Sequence, residues 1–231
     1  MHVGGDVDRS EVLHLIRERF VSIGYEPFAS SLFFHPRDVW MRRINDRDLS
    51  RFATTICLQY KPSFKAYGVL FGVVEDDIMQ QLKQLLLLPS VRKILANWKS
   101  ARHLDSPCWN LFDAGRALDW QYLSIPDLDA PHGWEVELQR LLGTLDGLAH
   151  KVTDDLAYAR FLLRSDKPFE WWTSDPVLRA GEVILALTRR SYSTAAMTAE
   201  LEEVHEQIEA TLSHGYDLQQ FVRAISTYAR Q

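Results

Sequence analysis

The sequence predicts an α+β fold: an N-terminal helix and an antiparallel meander of four to five strands, covered by a helical C-terminal half. Three observations lead to this prediction. The spacing of apolar residues changes from the helical period to a two-residue alternation after the opening segment and returns to the helical period after residue 75. The strand-like segments are joined by short turns, which suit antiparallel neighbours, because parallel strands need a long crossover. From residue 133 onward, helical spacing continues almost to the end of the chain.

The first predicted element is a helix over residues 9–23, whose apolar residues recur three and four positions apart. Asp8 and Glu11 are spaced as in a capping box, which satisfies free backbone N–H groups at the start of a helix. Gly24 follows the last apolar position and is a typical stop, since glycine readily adopts the left-handed conformation of a C-terminal cap.

Four short segments favour strands, because they alternate or are rich in β-branched and aromatic residues. They cover residues 29–35, 38–44, 51–60 and 66–74. A fifth segment, 120–125, alternates in the same way. Gly68 and Gly72 lie four apart in the last strand of the meander, and we interpret them as marks of a bulge or of a close backbone approach.

The first helix after the sheet follows the acidic residues 75–77 and is expected to end at Pro89. Its apolar stripe is Ile78, Leu82, Leu85 and Leu86. Further helices are predicted over about 90–99, 133–151, 153–164, from Pro176 onward, 194–213 and 217–229. We expect residues 1–130 to hold the sheet and its first helices, and residues 131–231 to pack on them as the helical part of one continuous domain.

Charge and composition argue against several classes of function. The formal net charge is −5 and the isoelectric point about 5.9, whereas nucleic-acid binding needs a basic surface. The densest basic stretch, residues 37–51, is interrupted by aspartates and indicates a mixed solvated surface. No segment approaches the roughly 20 apolar residues of a membrane span, and the N-terminus lacks the apolar region of a secretory signal. We therefore expect a cytoplasmic protein with no cofactor and no nucleic-acid or membrane partner.

The two cysteines are too few for a disulfide framework or a four-cysteine zinc site. Cys57 lies in an apolar run and is interpreted as a buried thiol. Cys108 lies close to His103 and Asp105, a combination that could activate a nucleophile. Side chains so near in sequence point apart, so we assign no catalytic residue here.

Two spacings resemble metal or acid–base sites on helices. Glu202 and His205 have the Glu-x-x-His spacing of carboxylate-bridged metal bundles, but no second such motif occurs and the segment is polar nearly all round. Asp146 and His150 lie four apart on another helix. We interpret both pairs as solvated surface, and we predict no metal site.

The acids at 75–77 follow a strand directly and have two interpretations. Carboxylates at a strand end could hold Mg²⁺ in a hydrolase. They could equally stabilise the positive end of the next helix, and this explanation needs no ligand. Phosphate-loop, dinucleotide-binding, nucleophile-elbow and zinc-protease motifs are missing from the sequence, which favours a binding protein over an enzyme.

Aromatic residues in irregular segments are the candidates for a protein-binding surface. Exposed tryptophan and tyrosine are favoured at interface hot spots. The candidate binding residues are Trp109, Trp120, Phe169, Glu170, Trp171 and Trp172. The alternative is that these rings fill the seam between the sheet and the helices.

Several short motifs occur in an order that resembles a known family. They are Ile23-Gly24-Tyr25, Leu32-Phe33-Phe34, Val39-Trp40-Met41-Arg42-Arg43, Gln59-Tyr60, Tyr67-Gly68-Val69 and Pro168-Phe169. The order is similar to that of an uncharacterised bacterial domain-of-unknown-function family, of a kind often encoded beside toxin or phage-defence genes. The resemblance implies a toxin-immunity role and no catalytic residues.

Three hypotheses about function follow. The first is an immunity or antitoxin protein that occludes a basic, toxin-like partner, since an acidic surface speeds encounter with such a partner. The second is a metal-dependent hydrolase that uses residues 75–77. The third is an oligomeric regulatory subunit, which would exceed the chain mass of 26.7 kDa in solution.

Overall fold

The computed structural model describes residues 9–28, 38–43, 52–61, 66–89, 91, 112–113, 123–124, 133–163, 176–202 and 218–230. The strands are β1 (Glu26–Phe28), β2 (Asp38–Arg43), β3 (Phe52–Lys61), β4 (Ala66–Glu75), β5 (Phe112–Asp113) and β6 (Leu123–Ser124). The helices are α1 (Arg9–Ser22), α2 (Asp76–Leu87), α3 (Gly133–Ala149), α4 (Asp155–Leu163), α5 (Pro176–Arg189), α6 (Thr194–Leu201) and α7 (Leu218–Ala229). This order confirms the predicted α+β fold.

The first four strands form an antiparallel meander, in which β2, β3 and β4 lie at predicted strands. Each of β1, β2 and β3 pairs with the next strand along the chain. The short strands β5 and β6 both pair with β4, at different positions along it. Strand β6 lies inside the predicted segment 120–125, whereas β5 was not predicted.

The pairing of β3 with β4 is unbroken, so the predicted bulge is wrong. Every residue from the Phe52–Glu75 pair to the Lys61–Ala66 pair has one partner. Gly72 lies opposite Thr55, whose hydroxyl donates to the Gly72 carbonyl at 3.3 Å. The glycines therefore do not change the register of the sheet.

Strand β1 was missed because it is short and has a proline at its centre. Pro27 lies opposite Trp40 in the register of β1 and β2. Proline lacks a backbone N–H and is confined to edge strands and strand starts, and β1 is the outermost strand of the described sheet. The predicted strand 29–35 lies outside the described residues.

One face of the sheet contributes to a core that the helices complete. Trp40, Ile56 and Phe71 lie side by side across three strands on this face. The ring of Phe20 in α1 meets that of Trp40 at 5.5 Å, and Phe161 in α4 meets Phe71 at 6.4 Å. Arg42 lies two residues after Trp40, and its partner Thr54 lies two residues before Ile56, so both project from this same face.

The opposite face of β3 and β4 is also buried. Ala53, Cys57, Leu70 and Val74 are all within 2% of complete burial. Cys57 is thus a buried thiol, as predicted. The near-continuous apolar sequence of these strands is the pattern expected of strands that are covered on both sides.

Helix α5 lies at the centre of the helical layer and contacts α2, α4, α6 and α7. Its residues from 177 to 188 are all buried. Gly181 permits the close approach of α2, since an added Cβ would lie 2.6 Å from Leu82 Cδ1. A larger residue here would force the two helices apart or shift Leu82.

The structure confirms the helices predicted at 9–23, after residue 75, at 133–151, at 153–164, from Pro176 and at 217–229. Of the helix predicted at 194–213, only Thr194–Leu201 is a described helix, and residues 203–217 lie outside the described residues. The predicted capping box at Asp8 and nearly all of the predicted helix 90–99 lie outside them too. None of the described helices combines the length and the apolar character needed to cross a membrane.

Candidate functional site

The site begins at the cap that ends α1. Gly24 has φ +86°, a left-handed conformation that favours glycine. Its N–H donates to the Val21 carbonyl, and the Tyr25 N–H donates to the Phe20 carbonyl, both at 3.0 Å. These two bonds form a Schellman motif, whose usual apolar contact is supplied by the rings of Phe20 and Tyr25 at 5.8 Å. The cap thus buries Tyr25 beside strand β2.

Arg42 on β2 is fixed by three partners of different kinds. Its Nη1 donates to the Ile23 carbonyl at 3.2 Å, a carbonyl at the end of α1. The guanidinium carbon lies 4.7 Å from the centre of the Tyr25 ring, in cation–π geometry. Its Nη2 donates to Asp146 Oδ1 on α3 in an ion pair. Arg42 therefore joins the α1 cap, the sheet and α3.

Tyr25 and Thr54 contact this arginine and each other. Thr54 Oγ1 lies 2.9 Å from Tyr25 Oη and 3.2 Å from the Arg42 carbonyl. The Thr54 hydroxyl can donate its one proton to either of these oxygens. Burial raises the pKa of Tyr25 to about 12, against the weaker opposing effect of Thr54 and Arg42. Tyr25 is therefore neutral near neutral pH.

A cleft of about 660 Å³ opens over this arrangement, between the β1 edge of the sheet and α3. Arg42 and Thr54 lie on the core face of the sheet, whereas Met41 and Arg43 project from the opposite one. The cleft therefore extends around the sheet edge. Its lining residues are Ile23, Gly24, Glu26, Pro27, Met41, Arg42, Arg43, Thr54, Asp146, Ala149 and His150.

Asp146 and His150 do not form a carboxylate–imidazole pair. The Asp146 carboxylate bonds to Arg42, while His150 Nδ1 lies 2.8 Å from the backbone carbonyl of Asp146. A carbonyl only accepts, so Nδ1 carries a proton in this contact. The interpretation of this pair as plain surface is thus incomplete, because both residues line the cleft.

One carboxylate in the cleft lining has no ion-pair partner among the described residues. Arg42 is paired with Asp146, and Arg43 is paired with Asp76 at the start of α2. Glu26 is exposed on β1, and within the described chain its carboxylate has no hydrogen bond or ion pair. The fixed charge that lacks a counter-ion in the lining is therefore negative.

The acids at 75–77 stabilise the start of α2, as the simpler interpretation expected. Glu75 is fully buried, and its carboxylate accepts from the Ile78 N–H and from Arg189 Nη1. Asp76 bonds to Arg43, and Asp77 is exposed. Among the described residues, no three potential ligands lie close enough together to hold a metal ion.

A second polar cluster is enclosed where β4, α4 and α5 meet. Arg189 Nη1 lies 3.2 Å from Glu75 Oε1 and 3.9 Å from Asp155 Oδ1. The Tyr158 hydroxyl donates to Glu182 Oε2, and burial followed by the charge of Glu182 raises the pKa of Tyr158 well above its ordinary value. Because these groups bond to one another in the interior, the cluster joins secondary structures and presents little to a ligand.

The six candidate binding residues, from Trp109 to Trp172, all lie outside the described residues. The same holds for His103, Asp105, Cys108 and His205, while Glu202 is exposed at the end of α6. The cleft residues Tyr25, Glu26 and Arg42 were not predicted as a site. One signal for Arg42 was available in the sequence. It lies two residues from Trp40 and so shares a strand face with this apolar ring, where a charge requires a partner.

Comparison of the chain with protein-family models, curated proteins and solved structures finds no match. The resemblance to a bacterial family of unknown function therefore stays a prediction.

Proposed function

We propose that this chain is a protein-binding module that acts as an immunity or antitoxin protein and occludes a basic, toxin-like partner. The observation that supports a binding role is the rigid construction of the cleft. Arg42 is fixed by a backbone carbonyl, a ring and a carboxylate before any ligand arrives. Such preorganisation reduces the entropy lost on association, which favours binding.

The chemistry of the lining favours binding over catalysis. It contains no serine or cysteine among the described residues, and its one hydroxyl, on Thr54, is engaged with Tyr25 and Arg42. The acids required by the alternative, a metal-dependent hydrolase, are separated, because Glu75 faces the interior and Asp76 pairs with Arg43. A catalytic role would therefore need these ion pairs to break first.

The charge of the chain supports a basic partner. A net charge of −5 accelerates encounter with a positively charged protein and slows encounter with an acidic one. The association rate constant should then fall as salt is added, because ions screen this attraction. The association rate constant measured with the true partner should therefore depend on the salt concentration.

The test uses the intact chain as an affinity ligand against an extract of its native host, followed by kinetics with the purified partner. We expect one basic protein with a dissociation constant in the nanomolar range. The variant His150→Trp, which adds bulk at an exposed position of the cleft, should weaken binding by about ten-fold or more. His14→Trp, at an exposed position on α1 outside the cleft lining, is the matched control and should bind normally.

Stoichiometry separates occlusion from enzymatic inactivation. An occluding protein should inhibit the activity of its partner fully at one copy per partner and no lower. Inhibition at a small fraction of that amount would indicate catalysis and contradict the proposal, as would equal binding by the two tryptophan variants.

A further inference from the structure

We propose that the cleft receives a cationic side chain, an arginine or a lysine, from the surface of the partner. This inference rests on the proposed function and specifies the chemistry of recognition. It follows from the charges and hydrogen-bonding groups that the fold leaves available in the cleft.

The charge balance of the lining is the first step. Both arginines of the lining have carboxylate partners, Arg42 in Asp146 and Arg43 in Asp76. Glu26 has no such partner within the described residues. A cation that enters the cleft gains the attraction of this carboxylate, whereas an anion must approach it or displace Asp146 from Arg42.

The hydrogen-bonding groups of the lining agree with the charge. Glu26 offers two carboxylate oxygens, and Asp146 uses Oδ1 for Arg42, which leaves Oδ2 to accept. Glu26 pairs with Met41 and lies on that side of the sheet edge, whereas Asp146 lies beside Arg42 on the core side. The cleft extends around this edge and thus offers three carboxylate oxygens to a guanidinium or an ammonium group, which only donate.

The apolar part of the lining suits the rest of such a side chain. Ile23, Pro27 and Met41 border the same cleft as the acceptors. Arginine and lysine place their methylene groups along apolar surface while the charged end reaches polar groups. The cleft can therefore contact the whole length of the side chain.

The experiment tests the cleft without the partner. Acetyl-arginine methylamide and acetyl-lysine methylamide are titrated into the full ¹⁵N-labelled chain, with acetyl-citrulline methylamide as the uncharged match for arginine. We expect at least one cationic probe to bind weakly, with its largest amide shifts at residues 23–27 and 146–150. Citrulline, which lacks the charge, should bind about five-fold more weakly or not at all.

Two matched variants assign the effect to Glu26. Glu26→Gln removes the charge at an exposed position and should weaken the cationic probe by about three- to five-fold. Glu202→Gln removes the same charge at the exposed end of α6 and should change nothing. Citrulline binding equal to that of arginine, unaltered binding by Glu26→Gln, or shifts confined to other surfaces would overturn the inference.

The outcomes are distinguishable from those of the partner experiment. If neither cationic probe binds, the inferred chemistry of the cleft is wrong, and a basic partner that is blocked by His150→Trp can still be found. If a cationic probe binds but no partner is recovered, the cleft chemistry stands and the immunity proposal fails.

Discussion

The cleft and the buried cluster use the same groups in different surroundings. Each pairs an arginine with a carboxylate and has a tyrosine hydroxyl nearby. In the cleft, the side chains of Arg42 and Asp146 are 23% and 34% exposed, whereas Glu75 in the interior is 0% exposed and its partner Arg189 is 28% exposed. Water screens the first pair and largely cannot reach the carboxylate of the second. We infer that the first pair shapes a binding surface, and the second stabilises the junction of sheet and helices.

The largest expected effect is that of Glu75→Ala in the buried cluster. The change removes the cap of α2 and leaves Arg189 without its nearest carboxylate. The free energy of unfolding should fall by about 2–4 kcal/mol, because the change removes a helix cap and a hydrogen bond to a charged group. Urea denaturation measures it, and Asp77→Ala, at an exposed position of the same helical turn, is the control. A loss equal to that of the control would show that the buried pair contributes nothing.

The next effect is a loss of stability in alkali that originates at the cleft. The pKa of Tyr25 is raised from 10.0 to about 12, so the unfolded chain loses this proton first. The contribution of Tyr25 to stability should therefore be constant below pH 10 and be lost between pH 10 and 12. The share of Tyr25 is about 2.7 kcal/mol over this window. Denaturant titrations from pH 9 to 12 measure it.

Two tyrosine variants assign the alkaline effect. In Tyr25→Phe, the loss of unfolding free energy between pH 10 and 12 should be smaller by the share of Tyr25. Part of the loss should remain, because the pKa of Tyr158 is also raised. Tyr228→Phe replaces an exposed tyrosine and should leave the decline unchanged. An equal decline in wild type and Tyr25→Phe would contradict the assignment.

The C-terminal caps of α1 and α5 lie beside the two regions. Substitutions in them should have smaller effects on stability, opposite in sign to each other. Helix α5 ends in the same hydrogen-bond pattern as α1, but with Ser191 at φ +61° in place of a glycine. Gly24→Ala should destabilise the protein by about 1–2 kcal/mol, because a side chain is strained in the left-handed conformation. Ser191→Gly should stabilise it by about 0.5–1 kcal/mol, because the relief of this strain is partly offset by the greater entropy of glycine in the unfolded chain. Thermal unfolding of both variants measures the pair, and a loss of stability in Ser191→Gly would contradict this account.

The smallest expected effect is that of Asp146→Asn in the cleft. The ion pair with Arg42 is partly exposed, so its removal should lower the free energy of unfolding by only about 0.2–1 kcal/mol. The difference from wild type should shrink in 1 M salt, while that of Glu75→Ala should not. An effect of Asp146→Asn as large as that of Glu75→Ala would remove the distinction between the two regions.

Local sequence patterns predicted the helices and strands better than the contacts between them. The apolar stripe of α2, Gly24 at the end of α1 and the alternation in β2 each depend on neighbouring residues, and each prediction is confirmed. Strand β5 has two residues and exists only because it pairs with β4, so no local pattern marks it.

The cleft was missed for the same reason. Arg42 and Asp146 are 104 residues apart in the chain, and only the fold brings them together. The position of Arg42 on the same strand face as Trp40 predicts that the arginine needs a partner, but it does not identify the partner. The acids at 75–77 were assigned correctly because a helix start is a local feature.

The proline at the sheet edge has a consequence for self-association. An exposed edge strand normally offers a row of N–H and C=O groups on which further strands can add, and this is how many sheet proteins aggregate. Strand β1 has only three residues, and Pro27 at its centre contributes no N–H. Among the described strands, this edge therefore offers few backbone groups on which a further strand could add, and contacts to a partner here rely mainly on side chains.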